Sequence, residues 1–404
     1  MKTEAAKPID RTAVSASAAL RFVVFLGVVS LFADMTYEGA RSITGPFLAV
    51  LGASATAVGI ISGLGELVGY GLRLVSGTVA DRTRRYWAIT LFGYAMNMLA
   101  VPLLALAGRW EVAALLIIAE RAGKGMRNPP RDAMLSHATI QIGRGWGFGL
   151  HEALDQFGAV LGPLLVAGVV AWRGDYRAAF AALLISAVLA LAVLIAARIA
   201  YPAPHEFEAA TGDIQDTRFP RAYWLYLAAV AFVAAGFADF PLIAYHFQKA
   251  SILSPDWIPL FYAVAMAVDG VAALLFGRLF DRIGISILIV VSLISALFAP
   301  LVFFGGFILA LLGMLCWGIG MGAQESIMRA AIAGFVPPNR RGSAYGVFNA
   351  GYGIFWFLGS AAIGILYDTS ILWLVTFSVA TQLASIPMLL LVRREMVASR
   401  TRQE

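Results

Sequence analysis

Apolar stretches long enough to cross a bilayer core, about 20 residues for roughly 30 Å, recur twelve times along the chain. They fall at about 22 to 48, 56 to 80, 87 to 107, 111 to 134, 145 to 172, 177 to 200, 222 to 247, 257 to 280, 285 to 304, 307 to 332, 342 to 367 and 371 to 392. Short polar or Gly- and Pro-bearing turns separate them. The one long polar interruption, PAPHEFEAATGDIQDTRFPR, lies between the sixth and seventh. The pattern predicts an all-α polytopic membrane protein of two six-helix bundles. Its expected parts are an N-terminal tail at 1–21, a bundle at 22–200, a linker at 201–221, a second bundle at 222–392 and a C-terminal tail at 393–404.

Composition agrees and narrows the class. The 404 residues are 60% hydrophobic and 13% charged, against roughly 45–50% and 25% in soluble domains. No soluble domain is visible, and the single cysteine, Cys316, excludes an intrachain disulfide and a cysteine metal cage. The polar start leads into an apolar run longer than the core of a signal peptide, so the first span is expected to be retained. Most Lys and Arg fall in loops on one side, for example Arg82, Arg84, Arg85, Arg144, Arg282, Arg340, Arg341, Arg393 and Arg394. The other side has few, Arg109, Arg173, Arg177 and Lys249 among them. By the positive-inside rule both termini are expected to be cytoplasmic, and the expected location is the cytoplasmic (inner) membrane. Charges scattered among loops in this way argue against a nucleic-acid surface.

The two halves repeat. GTVADRTRR (77 to 85) after the second span recurs as GRLFDRIG (277 to 284) after the eighth, and Phe-Ala-Asp occurs at 32 to 34 and 237 to 239. RGWGFGLHEALDQFGAVLG opens the fifth span and RGSAYGVFNAGYGIFWFLG the eleventh, which aligns Glu152 with Asn349 and Asp155 with Tyr352. Parallel repeats of this kind are a transporter signature, because two similar bundles can rock about a site between them.

With twelve spans, a central loop and the G-x-x-x-D-R element in both halves, the chain resembles the major facilitator superfamily of secondary transporters. Gly77, Asp81, Arg82 and Arg85 match its motif A, with Arg84 where a second glycine is usual. Gly277, Asp281 and Arg282 repeat it. A carboxylate facing a helix N-terminus gains about 0.3 to 2 kcal/mol, so Asp81 is expected to latch onto the start of the eleventh span near Gly342, and Asp281 onto the fifth. Gly149, Gly158, Gly162 and Pro163 are similar to motif C, which in the family is associated with drug and proton antiporters, although Val166 and Ala167 replace its later paired glycines. Small residues on one face also serve close helix packing.

The spans drawn third, ninth and twelfth carry no Asp, Glu, Lys, Arg or His, and the sixth only Arg177 and Arg198 near its two ends. Charge at the bilayer centre costs at least about 2.5 to 3.5 kcal/mol, so the charged spans are expected to surround a wet cavity and these four to face lipid. The resemblance implies the same: spans one, four, seven and ten line the cavity. In the first, Asp34, Glu38 and Arg41 share one face at helical spacing and are expected to neutralise one another in part. In the fourth, Glu120, Arg121 and Lys124 precede Arg127, Arg131 and a Pro129-Pro130 pair expected to end or kink the helix. In the fifth, Glu152 and Asp155 cannot both stay ionised cheaply, which suits a site that takes up and releases a proton. His151 lies beside them, and without a second His at helical spacing no metal site is expected. The second half offers Asp239, His246, Asp269, Glu325 with Arg329, and the aromatics Trp317, Phe355, Trp356 and Phe357.

No G-x-x-x-x-G-K-[ST] element is present, so transport is expected to run on gradients rather than nucleotide. The expected protein is not an enzyme, needs no cofactor, and acts as a monomer. Its expected work is moving a small organic solute outward by alternating access in exchange for protons. Asp34, Glu38, Glu152 and Asp155 form the proton-coupling pool, while Arg41, Arg73, Glu120, Arg121, Lys124, His151, Asp239 and Asn349 are charge partners or substrate contacts. Two alternatives stand: an importer or exchanger of an anionic solute held by Arg41, Arg73, Arg121 and Lys124, and a non-transporting receptor or scaffold of the same fold.

Overall fold

The computed structural model describes residues 16–139, 142–202, 219–332, 334–336 and 341–400. Most of the expected N-terminal tail and of the linker therefore lies outside the described residues. Among those described there is no strand. The first half comprises α1 (Ala16–Val50), α2 (Ala55–Thr83), α3 (Tyr86–Leu103), α4 (Trp110–Thr139), α5 (Arg144–Arg173) and a sixth span in two pieces, α6 (Tyr176–Ala182) and α7 (Leu184–Ala200). The second half begins with α8 (Arg221–Gly236) and α9 (Phe240–Lys249), which together make the seventh span, then α10 (Trp257–Ile283). The ninth span is α11 (Ser286–Ala296) with α12 (Phe298–Phe304), the tenth α13 (Phe307–Glu325) with α14 (Ile327–Ile332). The last two are α15 (Arg341–Thr369) and α16 (Ile371–Arg400).

Counting interrupted helices as one, eleven spans among the described residues are long and apolar enough to cross a membrane. The chain is an integral membrane protein with twelve spans in two six-span bundles. The helix that hydropathy alone misses is α4, 30 residues long, which carries Glu120, Arg121, Lys124, Arg127 and Arg131. Those charges turn inward, and Glu120, Arg121, Arg127 and Arg131 are all buried. The third, sixth, ninth and twelfth spans present bare apolar surface outward, such as Phe92 on α3, Ile185 on α7, Leu293 on α11 and Trp373 on α16. Apolar surface of this extent on the outside of a bundle is what lipid covers.

Two helix breaks depart from the sequence pattern. Pro129-Pro130 neither ends nor breaks α4, which continues to Thr139. Proline at 129 removes the bond that the Gly125 carbonyl expects, and Ser76 Oγ of α2 donates to that carbonyl at 3.3 Å instead. The seventh span, by contrast, breaks at Phe237–Ala238, where the Phe-Ala-Asp repeat gives continuous helix in α1. Asp239 caps α9, accepting from the Phe240 N–H at 2.9 Å, with Pro241 in the first turn. The carbonyls released by the break find new donors, Ala238 from Trp317 Nε1 (2.9 Å) and Gly236 from Ser378 Oγ (2.6 Å). Non-helical backbone at membrane depth survives only with such substitutes.

Gly158 and Gly162 press α5 against α1: a Cβ at either would collide with the carbonyl of Leu31 or Met35. These two motif C glycines thus join helices of the same half. Gly149 faces open space, and α5 runs through Pro163.

Candidate functional site: a central cavity between the halves

A cavity of about 70 Å³ lies between the bundles, lined by residues of both. Its two walls differ in chemistry. The first half contributes Tyr37, Glu38 and Arg41 from α1, Glu66, Tyr70 and Arg73 from α2, and Arg121 and Lys124 from α4. The second half contributes Met321, Gln324 and Glu325 from α13, and Phe348, Asn349, Tyr352 and Trp356 from α15. One wall is cationic, the other aromatic and amide-bearing. Tyr37, Arg41 and Arg121 also line a smaller pocket of about 20 Å³ beyond them, with Leu104 and Pro241.

The buried charges are matched helix to helix. Asp34 pairs with Arg127 of α4 at 3.5 Å, and that guanidinium lies 4.2 Å from the Tyr94 ring. Glu38 faces Lys124 at 3.9 Å and accepts the Tyr262 O–H of α10 at 2.5 Å. Arg41 crosses the interface to Asp239 and lies 3.8 Å from Glu66. Arg121 takes Glu66 at 2.8 Å and Glu120 at 3.4 Å, while Glu120 accepts Asn97 Nδ2 at 2.6 Å. Tyr37 sits at the centre, its hydroxyl receiving both Arg41 and Arg121 and its ring lying 3.5 Å under Lys124 Nζ. The three charges of α1, whose spacing suggested that they neutralise one another in part, have their close partners on other helices. Each is taken by another helix, because an intrahelical pair gives only about 0.2–0.5 kcal/mol whereas a buried charge without a close partner costs several.

The carboxylates of α5 stand apart from this cavity wall. Glu152 is exposed, and its charge neighbours are Asp155, Glu325 and Asp34, with Arg131 the opposing cation. Asp269 of α10 interacts in turn with Glu325 and Glu152. This acidic band spans both halves, so the second half is less poor in it than the repeat alignment implied. His151 is buried and lies 3.0 Å from Ser30 Oγ, which also accepts from Arg131 at 3.0 Å.

Of the eight expected charge partners and substrate contacts, Arg41, Arg73, Arg121, Lys124 and Asn349 line the cavity. Glu120 and Asp239 stand one contact behind, through Arg121 and Arg41. Among the expected aromatics Trp356 reaches the wall, whereas Trp317 serves the helix break, Phe355 is 43% exposed on the outside and Phe357 packs on Gly63. Sequence reasoning missed Glu66, Tyr37 and Tyr262. Glu66 carried a usable signal, a carboxylate midway through an apolar span; the tyrosines carried none, since an aromatic in a span is ordinarily packing.

The Major Facilitator Superfamily profile matches residues 24–360 and again 240–403. The chain belongs to the Major Facilitator Superfamily. An uncharacterized protein of Mycobacterium tuberculosis is 44% identical over 390 residues, 95% of each chain. The multidrug resistance protein MdtH of Photorhabdus laumondii is 27% identical over 334 residues, 80% of each. In fold, the nucleoside transporter NupG superposes with a TM-score of 0.73 at 14% identity, covering 91% of this chain and 99% of that one.

In this facilitator the halves meet most tightly at the end away from the arginine-rich loops. Asp368 of α15 accepts from Thr56 N (2.8 Å), Thr56 Oγ1 (2.7 Å) and Ala55 N (3.3 Å), capping α2 of the other half. Tyr176 donates to Gln248 at 2.7 Å, and Tyr245 to the Ala53 carbonyl at 3.3 Å. At the basic end Asp81 accepts from Tyr86 of its own half at 3.0 Å. Arg82, Arg85, Asp281 and Arg282 are exposed, Gly277 faces open space, and Gly77 touches Pro129. Among the described residues Asp81 has no hydrogen bond across the halves, and residues 337–340, beside the expected partner Gly342, lie outside them. Arg84 ends α2 at φ 54°, and Gly284 ends α10 at φ 63°. Both positions take a positive φ, Arg84 in the left-handed region and Gly284 at ψ −148°; the left-handed form costs a non-glycine residue about 1–2 kcal/mol, which explains why glycine is usual there.

Asp368→Ala is expected to loosen this closed end. Loss of a capping carboxylate costs about 0.5–2 kcal/mol, toward the low end because Asp368 is exposed. Hydrogen exchange at residues 55–57 should quicken about tenfold at most, while exchange in the middle of α3 stays unchanged.

Proposed function

We propose that this facilitator is a secondary active transporter that moves a small organic solute through the central cavity by alternating access, outward and in exchange for protons. The observation that carries the reading is the cavity itself. Both halves line it, and the Arg41–Asp239 and Tyr262–Glu38 contacts join the two halves at its wall. Rocking that opens the far end must break these contacts, so occupancy of the site is coupled to the direction it faces. The acidic band of Asp34, Glu152, Asp155, Asp269 and Glu325 supports proton coupling, because crowded carboxylates exchange protons readily. Outward direction draws support from the multidrug resistance relative and the motif C-like glycines. In this reading the arginine-rich end lies in the cytoplasm, with the protein in the inner membrane.

The test is proton flux reported by a pH dye enclosed in proteoliposomes, screened with organic cations, anions and neutral lipophiles. A solute should drive proton movement opposite to its own, and Glu152→Gln or Asp155→Asn should leave solute exchange in place while abolishing accumulation against a gradient. Solute flux with no proton movement at any pH from 5.5 to 7.5 sinks the coupling. A second reading, import or exchange of an anionic solute, is favoured by one observation: Arg41, Arg73, Arg121 and Lys124 all stand on the cavity wall. Anion counterflow without proton flux would establish it.

A further inference from the structure

The ion pairs around the cavity close one by one, and Arg73 is left over. Arg41 has Asp239, Arg121 has Glu66 and Glu120, Lys124 has Glu38, Arg127 has Asp34 and Arg131 has Asp132. Arg73 forms no ion pair among the described residues. Its Nε is buried without an acceptor, and its guanidinium lies over the Tyr70 ring, 4.7 Å from the centroid. Across the interface Trp356, only 2% exposed, also has a buried N–H with no acceptor. A buried donor without an acceptor is costly unless a ligand or water supplies one, and both of these line the same cavity.

An aromatic ladder joins them. The Tyr70 ring meets Tyr352 edge-on at 5.4 Å, and Tyr352 meets Trp356 at 5.4 Å. Tyr352 has spent its own hydroxyl on Gln324 at 2.8 Å, so it offers a face or edge rather than a donor. The cavity thus presents a charged donor at one end of a ring surface and a neutral donor at the other.

We propose that the cavity takes a small organic anion with a planar ring body, its anionic group on Arg73, its ring along Tyr70 and Tyr352, and an acceptor opposite the charge at Trp356 Nε1. This rests on the reading of the cavity as the transport site. Arg73 and Tyr70 belong to α2 and Tyr352 and Trp356 to α15, so the ligand ties one half to the other. Organic cations are repelled by the same arginine, and ring-free anions forgo the ladder.

The test uses the purified full chain in detergent, with affinities by calorimetry and folding checked by thermal unfolding. The probes are benzoate, 4-nitrobenzoate, 1-naphthoate, indole-3-acetate and benzenesulfonate, each beside its neutral amide, with hexanoate as the ring-free anion. At least one aromatic anion should bind about tenfold or more tightly than its amide and than hexanoate, as charge-assisted bonds to arginine do. Arg73→Gln should erase that preference, Arg73→Lys should keep most of it, and Trp356→Phe should remove the advantage of 4-nitrobenzoate over benzoate. The proposal is overturned if no aromatic anion outbinds its amide, or if folded Arg73→Gln keeps the preference. Should Arg73→Gln fail to fold, the Arg73→Lys and Trp356→Phe results decide: an unchanged 4-nitrobenzoate advantage in Trp356→Phe refutes the ladder. An anion that binds with these preferences but gives no flux in proteoliposomes refutes the transport reading and leaves the ligand assignment. Flux of cations or neutral lipophiles with no anion binding does the reverse.

Discussion

Gly45→Val is expected to hold the protein with the end away from the arginine-rich loops open, and to stop transport. Gly45 of α1 lies against the Pro241 carbonyl and the Tyr245 N–H at the start of α9, where any Cβ meets backbone on the other half. Neither partner is a flexible side-chain tip that can swing away. Overpacking of this kind costs about 1–3 kcal/mol or more, and it acts only while that end is closed, since separating the halves removes the contact. A cost of about 3 kcal/mol changes the ratio of the two states by roughly 100-fold. The readout is labelling of Ser62→Cys, buried at the smaller pocket, by a membrane-impermeant maleimide in a Cys316→Ser background. Labelling from that side should rise at least about tenfold with Gly45→Val. Unchanged labelling with a normal unfolding temperature would show that α1 and α9 separate or slide without this contact.

The largest loss of stability is expected from Arg127→Met. Arg127 is fully buried, pairs with Asp34 and lies over Tyr94. Methionine fills comparable space but leaves Asp34 without its cation, and breaking a buried pair from one side costs about 3–5 kcal/mol. The double variant Arg127→Met with Asp34→Asn removes both charges, and should recover most of that loss. Thermal unfolding in detergent measures both. If the single and double variants unfold at the same temperature, the pair contributes through packing on Tyr94 and not through charge. The same double variant separates stability from coupling: it should fold, yet lack whatever proton Asp34 contributes to the acidic band.

These two expectations rest on features that were legible to very different degrees. Asp34 and Arg127 both stood out in the sequence as costly residues inside apolar spans, and both are buried as that cost demands. Their pairing was not legible. Helical spacing pointed Asp34 toward Glu38 and Arg41 on its own helix, whereas α4 supplies the partner. Gly45 looked like any other glycine of a membrane helix until Pro241 was seen against it. The break of the seventh span was hidden too, because the same tripeptide Phe-Ala-Asp is helical in α1 and non-helical between α8 and α9. What differs is the supply of donors around it, Trp317 and Ser378, from α13 and α16.

The sequence by itself determined the membrane class, the number of spans, the twofold repeat and the inward turn of the charged spans. Each follows from a local quantity: the length of an apolar run against the thickness of a bilayer, or the cost of a charge wherever lipid would touch it. Only the tertiary structure decided which charge answers which, that Glu66, Tyr37 and Tyr262 belong to the network, and that among the described residues Arg73 has no ion pair and the Trp356 N–H no acceptor on the cavity wall. Those outcomes depend on which helix faces sit within about 4 Å of one another, the reach of an ion pair. That is set by the packing of the whole bundle, to which the spacing of residues along a single helix is indifferent.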